Sequence, residues 1–301
     1  MNGVLVLNKP KGLTSHDCVF KIRKILKTKK VGHTGTLDPE VTGVLPICIG
    51  NATKLVEFLT AEQKTYIADI TLGISTTTED QTGEVVEKKE ITEVISKAKL
   101  QQALEKLTGE IQQTPPMYSA VKVNGKKLYE YARAGIEVER PTRKVTIHQL
   151  KLLHAENVYE PQETISFTVE VTCSKGTYVR TLAVAIGELL GYPAHMSKLQ
   201  RTASGKFTLD ESITLEHLQQ MYDGNQVDEI LIPMENAISG LPTLEINDTL
   251  AEKVLNGALL PLPDVNFDEL LAIMHDHQCV AIYMKHPTKD GLMKPKKVFN
   301  N

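Results

Sequence analysis

One stretch of this 301-residue chain alternates strictly between apolar and polar residues, and it restricts the fold more than any other feature. From Ile165 to Cys173 the odd positions are Ile, Phe, Val, Val and Cys, and the even positions are Ser, Thr, Glu and Thr. A period of two is typical of a strand with one face in the core and the other in solvent. The stretch therefore predicts a half-buried strand in an antiparallel sheet.

Other segments predict further elements, but without the regular strand-helix-strand rhythm of a parallel sheet. Strands are predicted over 4–7, 44–49, 64–72 and 279–284, and helices over 15–26, 100–107, 182–189 and 250–255. Ser15 is expected to cap the first helix, and Asn124-Gly125 is typical of a hairpin turn. The sequence therefore predicts an α+β fold with a mixed, mainly antiparallel sheet.

The sequence pattern changes after the turn signal Ser239-Gly240-Leu241-Pro242. Prolines at 261 and 263 then accompany only a short predicted helix and a strand. These features predict a small β-rich module at the end of the chain. We therefore expect two domains, comprising residues 1–240 and 241–301.

Charge is distributed unevenly along the chain. The formal net charge of −3, taken alone, argues against a nucleic-acid partner. Residues 1–60 nevertheless carry +5 and residues 116–150 carry +4, whereas residues 210–301 carry −9. Two basic blocks on an acidic chain can form a local anion-binding face. An uneven but merely solvated surface accounts for the same pattern.

The four cysteines lie far apart and form neither a CxxC pair nor a Cys/His cluster. This spacing favours buried thiols in a reducing compartment over a zinc site or a disulfide framework, and no metal site is predicted. The apolar run near the N-terminus is only five residues long, and no run approaches 18 apolar residues. We therefore expect a cytoplasmic chain without a membrane segment.

The segment GHTGTLDPEVTG at 32–43 has too many glycines to be regular structure, so it predicts a loop between packed elements. Within it Asp38 precedes Pro39, whose ring disfavours the helical conformation for the preceding residue. Local chemistry favours Asp38 as the start of a turn, and His33 as a partner of the loop backbone. A carboxylate presented to a substrate is the alternative. The patterns GxxxxGK[ST] and GxGxxG are absent from the sequence, so no nucleotide cofactor is predicted.

Five segments, in this order along the chain, resemble motifs of the TruB family of tRNA pseudouridine synthases. They are VLNKPKGLTS (6–15), GHTGTLDPEVTGVLPICIG (32–50), KTYIADITLG (64–73), CSKGTYVRTLAVAIG (173–187) and LQRTASGKF (199–207). The resemblance implies a cofactor-free isomerase that converts uridine 55 in the T-loop of tRNA to pseudouridine. It also implies a pseudouridine synthase fold ending in a PUA-like module, with the T stem-loop as partner. The chain is expected to act as a monomer.

The matching positions imply roles for three residues in the reaction. Asp38 would be the catalytic carboxylate, and Arg180 would keep it charged and oriented. Tyr66 would pack against the target base and help remove the proton from C5. A carboxylate suits this chemistry because cleavage of a glycosidic bond develops positive charge at C1′. Whether the carboxylate bonds to C1′ or removes the 2′ proton is left open.

Other positions would contact the substrate. Tyr178 and Leu199 would line the uridine pocket, and Asp80 would support the substrate. His33 would occupy the space vacated when the uridine leaves the stack. Phosphate contacts are expected from two basic sets: the N-terminal block with Lys54, and a second block at 122–144. They are Lys9, Lys11, Lys21, Lys24, Lys27, Lys29, Lys30 and Lys54, and Lys122, Lys126, Lys127, Arg133, Arg140, Arg143 and Lys144.

Two other functions remain open from the sequence. A non-catalytic RNA-binding or RNA-folding protein would use the same motifs to shape a pocket. A nucleoside hydrolase would direct water to C1′ and release free uracil. An isomerase instead needs a pocket that excludes water, because hydrolysis would leave an abasic ribose.

Overall fold

The structure is a computed structural model, which describes residues 1–299. Most of the backbone hydrogen bonding that organises the chain lies in two sheets. The strands are β1 (Gly3–Lys9), β2 (Val31–His33), β3 (Thr42–Ile49), β4 (Lys64–Leu72), β5 (Ile74–Thr76), β6 (Val85–Lys88), β7 (Ile95–Ser96), β8 (Gly109–Gln113), β9 (Lys122–Val123), β10 (Lys126–Lys127), β11 (Arg143–His154), β12 (Val158–Tyr159), β13 (Ile165–Cys173), β14 (Ala194–Ser204), β15 (Phe207–Thr208), β16 (Thr243–Glu245), β17 (Leu260–Pro261), β18 (Leu271–His275), β19 (Gln278–Lys285) and β20 (Leu292–Val298).

Helices connect these strands and cover the larger sheet. The α-helices are α1 (Ser15–Ile25), α2 (Val56–Ala61), α3 (Lys97–Lys106), α4 (Leu128–Arg133), α5 (Val179–Leu190), α6 (Leu215–Asp223), α7 (Met234–Ala237) and α8 (Asp248–Leu255). Two 3₁₀ helices span Gly50–Leu55 and Val227–Ile230.

The larger sheet has the strand order β1-β3-β14-β4-β13-β11-β8, with β2 paired to β3 and β15 paired to β14. All of these pairs are antiparallel except β14 with β3. The alternating strand predicted from the sequence is β13, in the middle of this sheet, between β4 and β11. The predicted α+β class with a mainly antiparallel sheet is therefore confirmed.

Predictions of single strands and turns are confirmed where the sequence signal is clear. Strand β4 covers residues 64–72 as predicted, and Asn124 and Gly125 both have the positive φ of a hairpin turn, at 50° and 84°. The predicted cap of α1 is wrong by one residue, because Thr14 accepts the hydrogen bond from the Asp17 N–H. The Ser15 hydroxyl instead binds Leu37, accepting from its N–H at 2.8 Å and donating to its carbonyl at 3.2 Å.

Two hydrophobic clusters fill the larger sheet domain. One joins β4 and β13 to α3 and α5, and the other joins β1 and β3 to α1 and α6. Tyr66 of β4 and Leu199 of β14 pack against both clusters. The seam between the two cores is therefore where these two side chains lie.

The second sheet, ordered β16-β18-β19-β20-β17, is built from residues 243–298 and has its own core. This organisation supports the expected division at about residue 240, which we propose as the domain boundary. A third cluster packs Ala272, Cys279, Ile282 and Phe299 with residues of the larger sheet. The small β-rich module is thus attached to the larger domain through apolar contacts.

Candidate active site

The loop that carries Asp38 runs between β2 and β3 and is held by hydrogen bonds to its neighbours. The Gly12 N–H donates to the Pro39 carbonyl at 2.8 Å, and Ser15 binds both backbone groups of Leu37. The Val41 N–H donates to the Asp38 carbonyl at 3.1 Å, so Asp38 does begin a turn. These bonds fix the backbone and leave the side chain of Asp38 46% exposed.

Lys9 binds the backbone of this loop, and its predicted role as a phosphate contact stays a prediction. Its side chain is fully buried at the end of β1. The ammonium donates to the carbonyls of Pro10 at 2.8 Å and Pro39 at 3.2 Å. Burial lowers the pKa of Lys9, because removal from water disfavours the charged form. A phosphate contact by Lys9 would require these two bonds to open.

Arg180, in the first turn of α5, faces Asp38 across the site. Its Nη2 lies 3.1 Å from Asp38 Oδ2 in an ion pair, and its own side chain is only 7% exposed. Nη2 also donates to the Tyr118 carbonyl, and Nη1 donates to the Thr78 carbonyl, each at 3.0 Å. A guanidinium held by two fixed carbonyls presents its remaining donors in a defined direction.

Asp80 stands on the other side of Arg180, with Oδ2 3.8 Å from Nη1. Its Oδ1 accepts hydrogen bonds from the Thr78 hydroxyl at 2.7 Å and from the Thr82 N–H at 2.9 Å. Thr78 is also the residue whose carbonyl binds Arg180. The geometry makes Asp80 a support for the loop that holds Arg180, while the predicted contact with substrate stays a prediction.

Tyr66 and Leu199 form apolar walls beside the ion pair. They project from the paired strands β4 and β14 and line the same cavity as Asp38 and Arg180. Burial raises the pKa of the Tyr66 hydroxyl, and the nearby guanidinium of Arg201 opposes this shift. The phenol is therefore protonated at neutral pH.

Tyr178 immediately precedes α5 and lines the cavity, while its predicted contact with the uridine stays a prediction. Gln113 fixes its backbone, accepting from the Tyr178 N–H at 2.9 Å and donating to its carbonyl at 3.0 Å. The guanidinium of Arg143 stacks 5.0 Å from the centre of its ring. The cation–π contact with Arg143 favours this orientation of the ring.

The structure does not bring His33 and Lys54 to the cavity wall. His33 is half-buried in β2 and its Nδ1 accepts from the Gly35 N–H at 3.3 Å, while burial lowers the pKa of the ring. Lys54 is half-buried and donates to the Val298 carbonyl at 3.2 Å, joining the larger domain to β20. A phosphate contact by Lys54 stays a prediction that would require this bond to open.

The cavity has a volume of about 320 Å³ and includes several residues that motif reasoning did not assign. Lys64 is buried and donates to the carbonyls of Thr60 at 2.7 Å and Glu62 at 2.5 Å. Burial lowers the pKa of Lys64 to about 8. Ser119 is buried beside Tyr118, and its hydroxyl has no hydrogen-bond partner among residues 1–299. Arg201 also lines the cavity and belongs to the motif LQRTASGKF at 199–207.

The ion pair of Asp38 and Arg180 thus lies in one cavity with the apolar surfaces of Tyr66 and Leu199. A carboxylate oriented by Arg180 can stabilise positive charge that develops on a bound sugar carbon. The apolar walls limit the access of water to such an intermediate.

Two features elsewhere bear on other functions. Asp248, His275 and Asp276 could direct three ligand atoms to a common ion, but Asp248 and Asp276 are exposed, and exposed acidic groups are common without one. None of the helices formed within residues 1–299 is long and apolar enough to cross a membrane.

Sequence comparison matches two family models in succession. Residues 23–179 match the N-terminal domain of the TruB family pseudouridylate synthases. Residues 180–239 match the C-terminal domain of tRNA pseudouridylate synthase B. Together the two matches span the cavity residues described above.

Full-length relatives agree with these matches. The chain is 59% identical over 305 residues to tRNA pseudouridine synthase B of Bacillus pumilus, covering 100% of this chain and 98% of the relative. It is 60% identical over 303 residues to the Bacillus subtilis protein of the same name, covering 99% and 97%.

Solved structures resemble the whole chain, including the C-terminal sheet. A Cbf5-Nop10-Gar1 complex contains a chain with a TM-score of 0.76 and 32% identity, covering 99% of this chain and 85% of that one. A chain of the archaeal box H/ACA sRNP Nop10-Cbf5 complex has a TM-score of 0.71 and 28% identity, covering 99% and 86%. The C-terminal sheet is consistent with a PUA-like domain.

Proposed function

The chain belongs to the TruB family of pseudouridylate synthases, isomerases of uridine in tRNA, and from this premise we propose that its target is uridine 55 in the T-loop. The ion pair between Asp38 and Arg180, facing Tyr66 and Leu199 in one cavity, is the observation that carries the proposal. The carboxylate shares its cavity with Tyr66 and Leu199, so a uridine must leave the T-loop stack to lie between them.

Asp38 acts at the sugar of the flipped uridine. The bond between N1 and C1′ breaks with its electron pair on the uracil, and the carboxylate either bonds to C1′ or removes the 2′ proton. The uracil then rotates and C5 attacks C1′. This step either displaces the carboxylate from C1′ or is accompanied by return of the proton to C2′. The C5 proton is then removed with the help of Tyr66, and N1 takes up a proton. Arg180, paired with Asp38 at 3.1 Å, orients the carboxylate in both routes.

Other side chains bind the substrate and hold its surroundings. Tyr178 and Leu199 contact the flipped uridine, Asp80 keeps Arg180 in place, and His33 fills the space that the base leaves in the T-loop. We propose that the protein acts as a monomer.

Incubation with unmodified tRNA transcript, without added metal or nucleotide, tests this proposal. We expect pseudouridine at position 55 and release of tritium from C5-labelled uridine, whereas a transcript with cytidine at 55 releases none. Pseudouridine at another position would contradict the T-loop target. Tight binding without pseudouridine would favour a non-catalytic RNA-binding protein, and free uracil would indicate a hydrolase.

Exposed lysines in and after α1 are expected to contact phosphates. Lys21, Lys29 and Lys30 are exposed and belong to the N-terminal basic block. Replacing all three with glutamine should reduce the slope of log K against log salt by about 2 to 3, because each phosphate contact contributes close to one unit. Filter binding of tRNA over a series of salt concentrations measures this slope.

A matched pair in the acidic C-terminal region controls for general charge effects. Lys253 and Lys289 are also exposed, and their replacement with glutamine should leave the salt slope unchanged. A slope that responds to this pair but not to the N-terminal three would move the phosphate-binding face to the C-terminal sheet.

A further inference from the structure

Arg201 is a buried cation in β14, only 1% exposed. Its Nε donates to the Val44 carbonyl at 2.6 Å, and its Nη2 donates to the Gly35 carbonyl at 3.3 Å. Among residues 1–299 no carboxylate forms an ion pair with it. Burying a guanidinium without a counterion is costly, so its contacts with backbone and neighbouring side chains must hold it in place.

The two carbonyls that Arg201 binds lie at opposite ends of the Asp38 loop. Gly35 precedes Asp38 and Val44 follows it, so one guanidinium spans the loop. The backbone of Arg201 also pairs with Gly43 in the parallel register of β14 and β3. A Cβ at Gly43 would collide with the Arg201 carbonyl oxygen, and its φ of 105° further favours glycine. The loop therefore closes tightly against this residue.

Arg201 also lies directly opposite Tyr66. The two residues are cross-strand partners in the antiparallel register of β14 and β4, and both line the cavity. Directly opposed residues of an antiparallel pair place their side chains on the same face of the sheet, so the guanidinium and the phenol are neighbours on the cavity wall.

We propose that Arg201 is a positioning residue that holds Tyr66 in place relative to the loop carrying Asp38. Its guanidinium binds both ends of that loop, and its backbone position lies directly opposite Tyr66, so Arg201 fixes the distance between the carboxylate and the phenol. This role rests on the proposed function of Tyr66 in removing the C5 proton. Arg201 itself does not touch the reacting atoms.

A double-mutant cycle with Arg201→Lys and Tyr66→Phe tests the proposal. Lysine keeps the charge but cannot bind both ends of the loop as the guanidinium does. We expect Arg201→Lys to lower kcat by about 100-fold and to change the affinity for tRNA by less than about threefold. In the Tyr66→Phe background the same replacement should cost less than about threefold, because the hydroxyl that Arg201 holds in place is already gone.

Lys9→Met provides the matched control. Lys9 is another buried cation that binds the loop, through Pro39, but its strand β1 does not pair with the strand of Tyr66. Its effect on kcat should be the same in both Tyr66 backgrounds. Thermal unfolding and tRNA affinity establish that each variant is folded. If Arg201→Lys is not folded, Arg201→Gln replaces it in the same cycle.

The outcomes separate this inference from the proposed function. If Arg201→Lys lowers kcat equally in both Tyr66 backgrounds, the positioning role is overturned. A large loss of kcat in the single variant Tyr66→Phe would still support the function proposed for Tyr66. If Tyr66→Phe releases tritium at the wild-type rate, both the role of Tyr66 and the inference about Arg201 are wrong. Pseudouridine formation at position 55 by the wild-type protein is measured independently of either result.

Discussion

Replacing Asp38 with asparagine should lower the release of tritium from C5-labelled uridine in tRNA by at least about 10⁴-fold. The amide has the size of the carboxylate and still accepts a hydrogen bond from Arg180, so the loop keeps its conformation. It has no negative charge to stabilise C1′, and it is neither an effective nucleophile nor a base. The affinity for tRNA should change by less than about threefold, because Asp38 contributes to the reaction rather than to general phosphate binding.

Asp80→Asn is the natural control for this variant. Asp80 is the second carboxylate beside Arg180, but its hydrogen bonds lie within its own loop. We expect a loss of only about tenfold, through a less well-held Arg180. Appreciable turnover by Asp38→Asn, or a larger loss from Asp80→Asn, would remove Asp38 from the proposed catalytic role. Single-turnover tritium release and filter binding on the same preparations measure both quantities.

Replacing Arg180 with methionine should damage stability and activity together. The change leaves the carbonyls of Thr78 and Tyr118 without their donor and leaves Asp38 without its cation. Removing one member of such a buried polar group costs about 3 to 5 kcal/mol of unfolding free energy. The rate should fall by about 10²- to 10³-fold, because the carboxylate loses the charge that orients it. Urea unfolding and tritium release test the two parts separately.

Arg180→Lys and Arg23→Met distinguish charge from geometry. Lysine restores the charge but cannot hold two carbonyls and a carboxylate at once, so we expect only partial recovery of the rate. Arg23 donates to the Val31 carbonyl at 2.9 Å in α1, outside the cavity. Its replacement should lower stability without changing the rate of tritium release. Wild-type stability and rate in Arg180→Met would show that the ion pair is dispensable.

Strict periodicity made some elements predictable. Residues 64–72 and 165–173 form β4 and β13 because apolar side chains alternate into one core along each strand. The Gly-rich segment was predicted as a loop because its glycines and proline exclude regular structure. The cap of α1 was misassigned by one residue, since Thr14 and Ser15 both have hydroxyls and Leu37, from a distant segment, engages the second.

The sequence by itself determined the α+β class and the family, because these depend on local periodicity and on motifs. The motifs also identified part of the cavity lining, namely Asp38, Tyr66, Tyr178, Arg180 and Leu199. Only the tertiary structure decided which cationic side chains are exposed on the surface. Lys9 and Lys21 both belong to the same basic block, yet one is fully buried beneath the Asp38 loop and the other is exposed. Arg201, an ordinary arginine in the sequence, became a candidate positioning residue through strand register. Burial and pairing arise from contacts between distant segments, and side-chain type alone does not encode them.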